Sequence, residues 1–148
     1  MLTLRTDDLP AFQMLALAYE EELPVELRHA DVDFVPDAAL VALHDGTPCG
    51  CVALSTHDAT TAVMKRLYVL PAYRKLGVAR MLVDTLIDIA RERGFARIVL
   101  DTDREQLAPA YRLYRSCGFV ECAPYGPVDY ATPTFMELAL SGTPQRVE

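Results

Sequence analysis

Residues 64–80 read MKRLYVLPAYRKLGVAR, a stretch with five basic side chains (Lys65, Arg66, Arg74, Lys75 and Arg80) and no acidic one, in a chain of 148 residues whose formal net charge is −7. An apolar run, Leu67, Tyr68, Val69 and Leu70, leads through Pro71 into a loop, and a helix is predicted to start near Gly77. A helix N-terminus carries partial positive charge, so Asp or Glu usually occupies its first turn. Arg74, Lys75 and Arg80 crowd that end instead, which is unfavourable unless an anion sits between them. Free backbone N–H groups, a glycine that permits close approach and nearby cations together make a phosphate cradle. The stretch therefore predicts a strand–loop–helix site for a phosphorylated ligand.

The elements that must position this site follow from periodicity. Helical spacing of Leu9, Phe12, Leu15 or Ala16, and Tyr19 predicts a helix over 7–19, with Asp7 or Asp8 as N-cap and Pro10 in its first turn. Residues 20–33 are acidic and broken by Pro24, a pattern for a second short helix and a loop. Strands are expected at 1–5, 39–43 and 49–55, the last two joined by an Asp45-Gly46 hairpin turn, and at 62–70. The cradle helix covers 78–93, with Val78, Leu82, Leu86 and Ile89 or Ala90 as its apolar stripe and Gly94 as its stop. A nearly all-apolar strand at 96–100, a helix at 106–117 and closing strands at 119–122 and 134–140 complete the order. This is an α/β or α+β single domain over 1–140, built on one central mixed sheet, with a short tail at 141–148.

Bulk composition narrows the classes of function. Apolar residues make up 51% and charged residues 24%, ordinary globular usage with a chain long enough for one core. The acidic balance argues against a nucleic-acid binder, which needs broad basic surfaces. No apolar run approaches a membrane span, and MLTLRTDDLP does not read as a secretory leader, so the expected setting is cytoplasmic. Cys49 and Cys51, two apart on a strand, are expected on one face. Cys117 and Cys122 flank a Gly-Phe turn, and no Cys/His spacing matches a zinc site. No metal is expected.

With these residues in view, the chain resembles the GNAT family of N-acetyltransferases. The family's loop signature, Arg/Gln-x-x-Gly-x-Gly/Ala, is similar to Arg74-Lys75-Leu76-Gly77-Val78-Ala79; MKRLYV, LYRSCGF (113–119) and the late Pro124-Tyr125 and FMEL (135–138) also look like this family. The resemblance implies a mostly antiparallel sheet flanked by helices, with a splayed strand pair that holds acetyl-CoA. The amides from Arg74 through Lys75, Leu76, Gly77, Val78 and Ala79 to Arg80 would take the pyrophosphate. The strand at Leu67, Tyr68 and Val69 would hold the pantetheine arm, with the N–H near Val69 on the acetyl carbonyl. Tyr114 aligns with the family's proton donor to the departing thiolate, and its alternative is a packing residue; Tyr111 is read as packing or an adenine-side contact.

Two departures stand out. Where relatives often carry a glutamate base, this chain has Ala62 and Val63, and near Leu107 it lacks their asparagine. Asp101 is a substitute base by position, or else a cap in the Asp101-Thr102-Asp103 turn. No role is expected of His29, His44 or His57, so the base stays unassigned. The acceptor half should be built from residues 20–33 and 124–133, with Tyr125 and Tyr130 as pocket or packing residues. The implied activity is direct acetyl transfer from acetyl-CoA to a primary amine of a small molecule, amino acid or peptide. The alternatives are a different acyl-CoA or a non-catalytic acyl-CoA-binding module, and a homodimer is compatible with the family without being specified by any residue.

Overall fold

Asp45 and Gly46, both at positive φ, close the hairpin between β2 (Ala38–His44) and β3 (Thr47–Thr56). This hairpin anchors the sheet of the computed structural model, which describes residues 1–31, 34–128 and 130–140; the predicted tail lies outside them. The sheet adds β1 (Leu2–Thr6), β4 (Thr61–Val69), β5 (Arg97–Thr102), β6 (Val120–Glu121) and β7 (Thr134–Ala139), in the spatial order β1-β2-β3-β4-β5-β7-β6. All neighbours run antiparallel except β4 and β5. The predicted mixed sheet with its inner strand at β5 is therefore what forms.

Helices cover both faces. On one, α1 (Leu9–Glu22) buries Phe12, Leu15 and Ala16 against Ala39, Val41, Cys51 and Ala53. Asp8 is its N-cap, accepting from the Ala11 N–H at 3.2 Å. On the other, α2 (Val78–Glu92) buries Val78, Leu82, Val83, Leu86, Ile87 and Ala90, while α3 (Ala108–Ser116) contributes Tyr114. Each fully buried aliphatic side chain is worth about 1.5–3 kcal/mol over its exposed state, so packing rather than propensity holds α2 down. Gly94 ends α2 at φ 85°, as predicted. The expected second helix after α1 is a single 3-10 turn, Val25–Leu27, because Pro24 breaks the run.

One expectation about the cysteines is corrected. In the β2–β3 ladder Ala42 pairs with Gly50 and Leu43 with Pro48, so Cys49 is an extra, bulged residue. The bulge breaks the alternation and turns Cys49 into the α2 face, while Cys51 packs on the α1 face. All four thiols are free, and burial raises every one of them above its ordinary value, Cys51 to about 12.

Gly50 sets how closely α2 approaches the sheet. A Cβ there would stand 3.0 Å from the Tyr68 carbonyl oxygen, 3.1 Å from Val78 Cγ1 and 3.2 Å from Leu82 Cδ1. Gly50→Val is expected to push the first turn of α2 off β3 and cost about 1–3 kcal/mol, the range for overpacking. Urea denaturation of the two proteins checks this, and an unchanged midpoint would refute it.

Candidate active site

The site begins where one ladder stops. β4 and β5 pair in parallel through Thr61–Arg97, Ala62–Ile98 and Val63–Val99, and no further, although β4 continues to Val69 and β5 to Thr102. On its other edge β4 carries a bulge: Cys51 pairs with Tyr68 and Ala53 with Lys65, so Arg66 and Leu67 share the space opposite Val52. Arg66 takes φ 60°, a left-handed conformation that costs an arginine on the order of 1–2 kcal/mol. Beyond the bulge the Leu70 N–H donates to the Cys49 carbonyl at 2.9 Å, so by strand alternation the Leu67 and Val69 amides face the opened side. A cavity of about 380 Å³ lies in this opening, walled by Met64 and Leu67 of β4, Leu100 and Asp101 of β5, Tyr114 of α3, and the loops after α1 and β6.

The basic loop runs alongside. Pro71–Tyr73 is a 3-10 turn, Lys75 and Gly77 have φ of 67° and 84°, and Gly77 caps α2 without any side-chain hydrogen bond. The first-turn amides of α2 therefore point out of the helix without intrahelical acceptors. Two of the three cationic side chains have partners within the chain. Arg74 donates through Nε to the Val69 carbonyl at 2.9 Å and through Nη2 to Glu22 at 2.6 and 2.8 Å. Arg80 reaches Ser116, through Nη1 to Oγ at 2.9 Å and Nη2 to the carbonyl at 3.1 Å, tying α2 to the end of α3. Lys75 is the loop cation with no hydrogen bond or ion pair among the described residues. Leu76 is exposed and Ala79 half-buried. The Tyr68 ring stacks on Tyr19 and its hydroxyl donates to Glu22 at 2.9 Å, so its side chain belongs to the α1 face and only its backbone stays with the opened strand. Burial raises its phenol to about 12, with Glu22 adding to the shift.

Tyr114 is 8% exposed, lines the cavity, and its hydroxyl has no hydrogen-bond partner among the described residues. Burial raises its phenol well above the ordinary value, so it holds its proton throughout the neutral range. Buried hydroxyls are normally paired, which makes this one a donor waiting for an acceptor. Tyr111, by contrast, donates to Glu121 at 2.6 Å on the surface, which binds α3 to β6.

The two readings of the Asp101–Asp103 turn separate cleanly. Asp103 is the cap: its Oδ1 accepts the Glu105 and Gln106 N–H groups at 3.0 and 2.9 Å, and its Oδ2 accepts the Gln106 side-chain amide and the Thr132 hydroxyl at 3.1 and 3.0 Å. Asp101 caps nothing. Its oxygens accept the hydroxyls of Tyr125 (2.7 Å) and Tyr130 (2.8 Å) on the cavity wall, and both phenols are raised, by burial first and then by that carboxylate.

Two features escaped the sequence. Glu20, 8% exposed, accepts both the His29 backbone N–H (2.7 Å) and His29 Nδ1 (2.5 Å), placing the imidazole on the cavity wall. The only signal was the chain break at Pro24, which folds residue 29 back on α1. Arg66, counted among the five cations of the basic stretch and placed on the strand expected at 62–70, is buried. From the acidic segment, among the described residues, Glu26 and Asp31 join the cavity wall, Asp31 paired with Arg66 at 3.0 Å, while Glu20 turns to His29 and Glu22 to Arg74.

Comparisons with known proteins show the family and the fold. The model of the acetyltransferase (GNAT) family matches residues 4–119. An uncharacterised N-acetyltransferase of Schizosaccharomyces pombe is 33% identical over 147 residues, 90% of this chain and 90% of that protein. One of Escherichia coli is 30% identical over 137 residues, 84% and 86% of the two chains. A GNAT acetyltransferase structure from Staphylococcus aureus superposes with TM-score 0.79 at 17% identity, over 95% of this chain and all of that one. A Salmonella typhimurium acetyltransferase solved with acetyl-CoA gives 0.71 at 24%, over 95% of each. The chain belongs to the GNAT acetyltransferase family. Its class is the acetyl-CoA-dependent acetyltransferases, and among the described residues no helix is long and apolar enough to cross a membrane.

Asp103 caps the turn that leads into the helix carrying Tyr114, and its hydrogen bonds, the Gln106 N–H foremost, hold its carboxyl below the ordinary value. A lowered folded value means that the charge stabilises above the unfolded value, near 4, and that this is lost as pH falls through the folded one. Asp103→Ala is expected to cost about 1 kcal/mol at pH 7, with the gap to wild type narrowing below pH ~4. Thermal melts at pH 7 and 3 check both parts, and a gap that widens in acid would refute the assignment.

Proposed function

We propose that this protein moves an acetyl group from acetyl-CoA directly to the primary amine of a small molecule, amino acid or peptide. The observation that carries the reading is the Tyr114 hydroxyl, buried and unpartnered in the cavity that the diverging β4 and β5 enclose. Acetyl-CoA supplies a thioester carbonyl open to amine attack. The residues fit such a ligand: an unpaired β4 ladder edge for an extended amide-bearing arm, and uncapped first-turn amides of α2 beside Lys75 for its phosphates. The Val69 N–H is a donor for the oxygen on which charge develops.

Asp101 has the proton acceptor's part. Its oxygens are held by two tyrosine hydroxyls, each oxygen keeps lone-pair capacity, and a carboxylate at this wall takes the proton that an attacking ammonium must lose. Tyr114, kept neutral by burial, gives its proton to the leaving sulfur.

Thiol release from acetyl-CoA across an amine panel tests this, together with thermal unfolding with and without the thioester. Tyr114→Phe is expected to lower kcat on the order of 100-fold and Asp101→Asn by a similar factor, the usual worth of general acid–base groups. Both variants should keep the stabilisation of about 2.7 kcal/mol that a ligand at ~100 times its Kd confers. Stabilisation without turnover in the wild type would favour a binding module, and unchanged kcat in Tyr114→Phe would remove the proton-donor role.

A further inference from the structure

Arg66 poses a physical problem that the acetyl-transfer reading leaves open. Its side chain is 4% exposed and lines the cavity. Nη2 donates to the Asp31 carbonyl at 3.2 Å and to Asp31 Oδ1 at 3.0 Å, while Nε and Nη1 have no acceptor among the described residues. A guanidinium does not shed its charge, and buried donors left unmet carry a heavy desolvation cost. Asp31 answers only part of it, since its own side chain is 58% exposed and loses much of its pull to solvent. The Phe34 ring centroid lies 4.5 Å from the guanidinium carbon and 5.3 Å from Lys65 Nζ, so two cations share one aromatic ring at this end. Arg28 is the third cation on the wall, and its donors go to the Leu23 and Glu21 carbonyls.

The cation is also held there against a cost. The β4 bulge puts Arg66 at φ 60°, where a glycine or asparagine would sit with less strain. Strained backbone persists where surrounding structure over-determines it, and such residues cluster at ligand sites. The Asp101 carboxylate, fixed by Tyr125 and Tyr130, faces the same cavity from β5. The cavity thus has a cationic pole on β4 and an anionic pole on β5, on the two strands that diverge.

We infer that the acceptor is a zwitterion, a free amino acid, with Arg66 binding its carboxylate while the Asp101 end receives its ammonium. This rests on the acetyl-transfer reading and narrows its substrate class. A simple amine would satisfy Asp101 and leave the Arg66 donors unmet. A carboxylate accepts one of them, Nε–H or Nη1–H, in a charge-assisted hydrogen bond and supplies the opposite charge that half-exposed Asp31 gives only in part.

The test compares L-leucine, L-phenylalanine, L-methionine and L-glutamate with their carboxamides, by thiol release, in wild type, Arg66→Gln and Asp31→Asn. In the wild type the acids should exceed the amides by 10-fold or more in kcat/KM, mainly through KM. Arg66→Gln should lose on the order of 10- to 100-fold on the acids and little on the amides, the range for a charged hydrogen bond removed. Asp31→Asn, which leaves the guanidinium in place, should keep or sharpen the preference and guards against a folding artefact. Amides as good as acids in the wild type, or an equal loss on both in Arg66→Gln, would overturn the assignment. Binding separates this from the parent reading. With saturating coenzyme A, the N-acetyl derivatives of the same amino acids should raise the melting temperature of wild type and not of Arg66→Gln. If they bind without any amine being turned over, catalysis fails and the carboxylate site stands; if they do not bind, the carboxylate site fails.

Discussion

The structure depends on a ladder that is abandoned. β4 and β5 share three residue pairs and then part, so a parallel pairing that would otherwise fill the middle of the sheet is exchanged for an edge of unpaired amides inside the protein. Interior strands rarely tolerate this, because each unmet backbone group costs as much as a lost hydrogen bond. The chain manages it by bending β4 at the Arg66 bulge, by burying Tyr68 and Val69 on either face, and by letting Arg74 answer the Val69 carbonyl. The cavity, the exposed amides and the approach of α3 all follow from that parting.

Much of the fold is legible in the sequence because its cues are local. Asp45-Gly46 sets a hairpin, Gly94 stops a helix, and the Val78, Leu82, Leu86, Ala90 stripe has one face to bury. The cradle helix was equally visible, since cations at a helix start are anomalous. What escaped depends on contacts far apart in the chain. Arg74 and Arg80 read alike as cations at the helix start, yet one meets Glu22 and the other Ser116, across 52 and 36 residues. Cys49 and Cys51 alternate on paper, and one bulge sends them to opposite faces.

The carboxylates teach the same point at closer range. Asp101 and Asp103 are two residues apart in one turn, and spacing could not say which caps and which faces the cavity. Tertiary partners decide: Asp103 gathers Thr132 with its own turn, and Asp101 gathers two tyrosines from beyond β6. His29 had no signal of its own, because its role is set by a carboxylate on the helix it folds back upon.

The four cysteines have a bearing on loyalty of the acyl group. A protein that handles a thioester keeps company with a substrate that any thiolate can cleave, and a self-acylated cysteine would divert it. Here every thiol is buried enough to stay protonated at neutral pH, including Cys117 at the end of the helix that bears Tyr114. Protonated sulfur is a poor nucleophile. The fold thereby withholds transthioesterification from its own side chains, and leaves the acyl donor to whatever nucleophile the cavity admits.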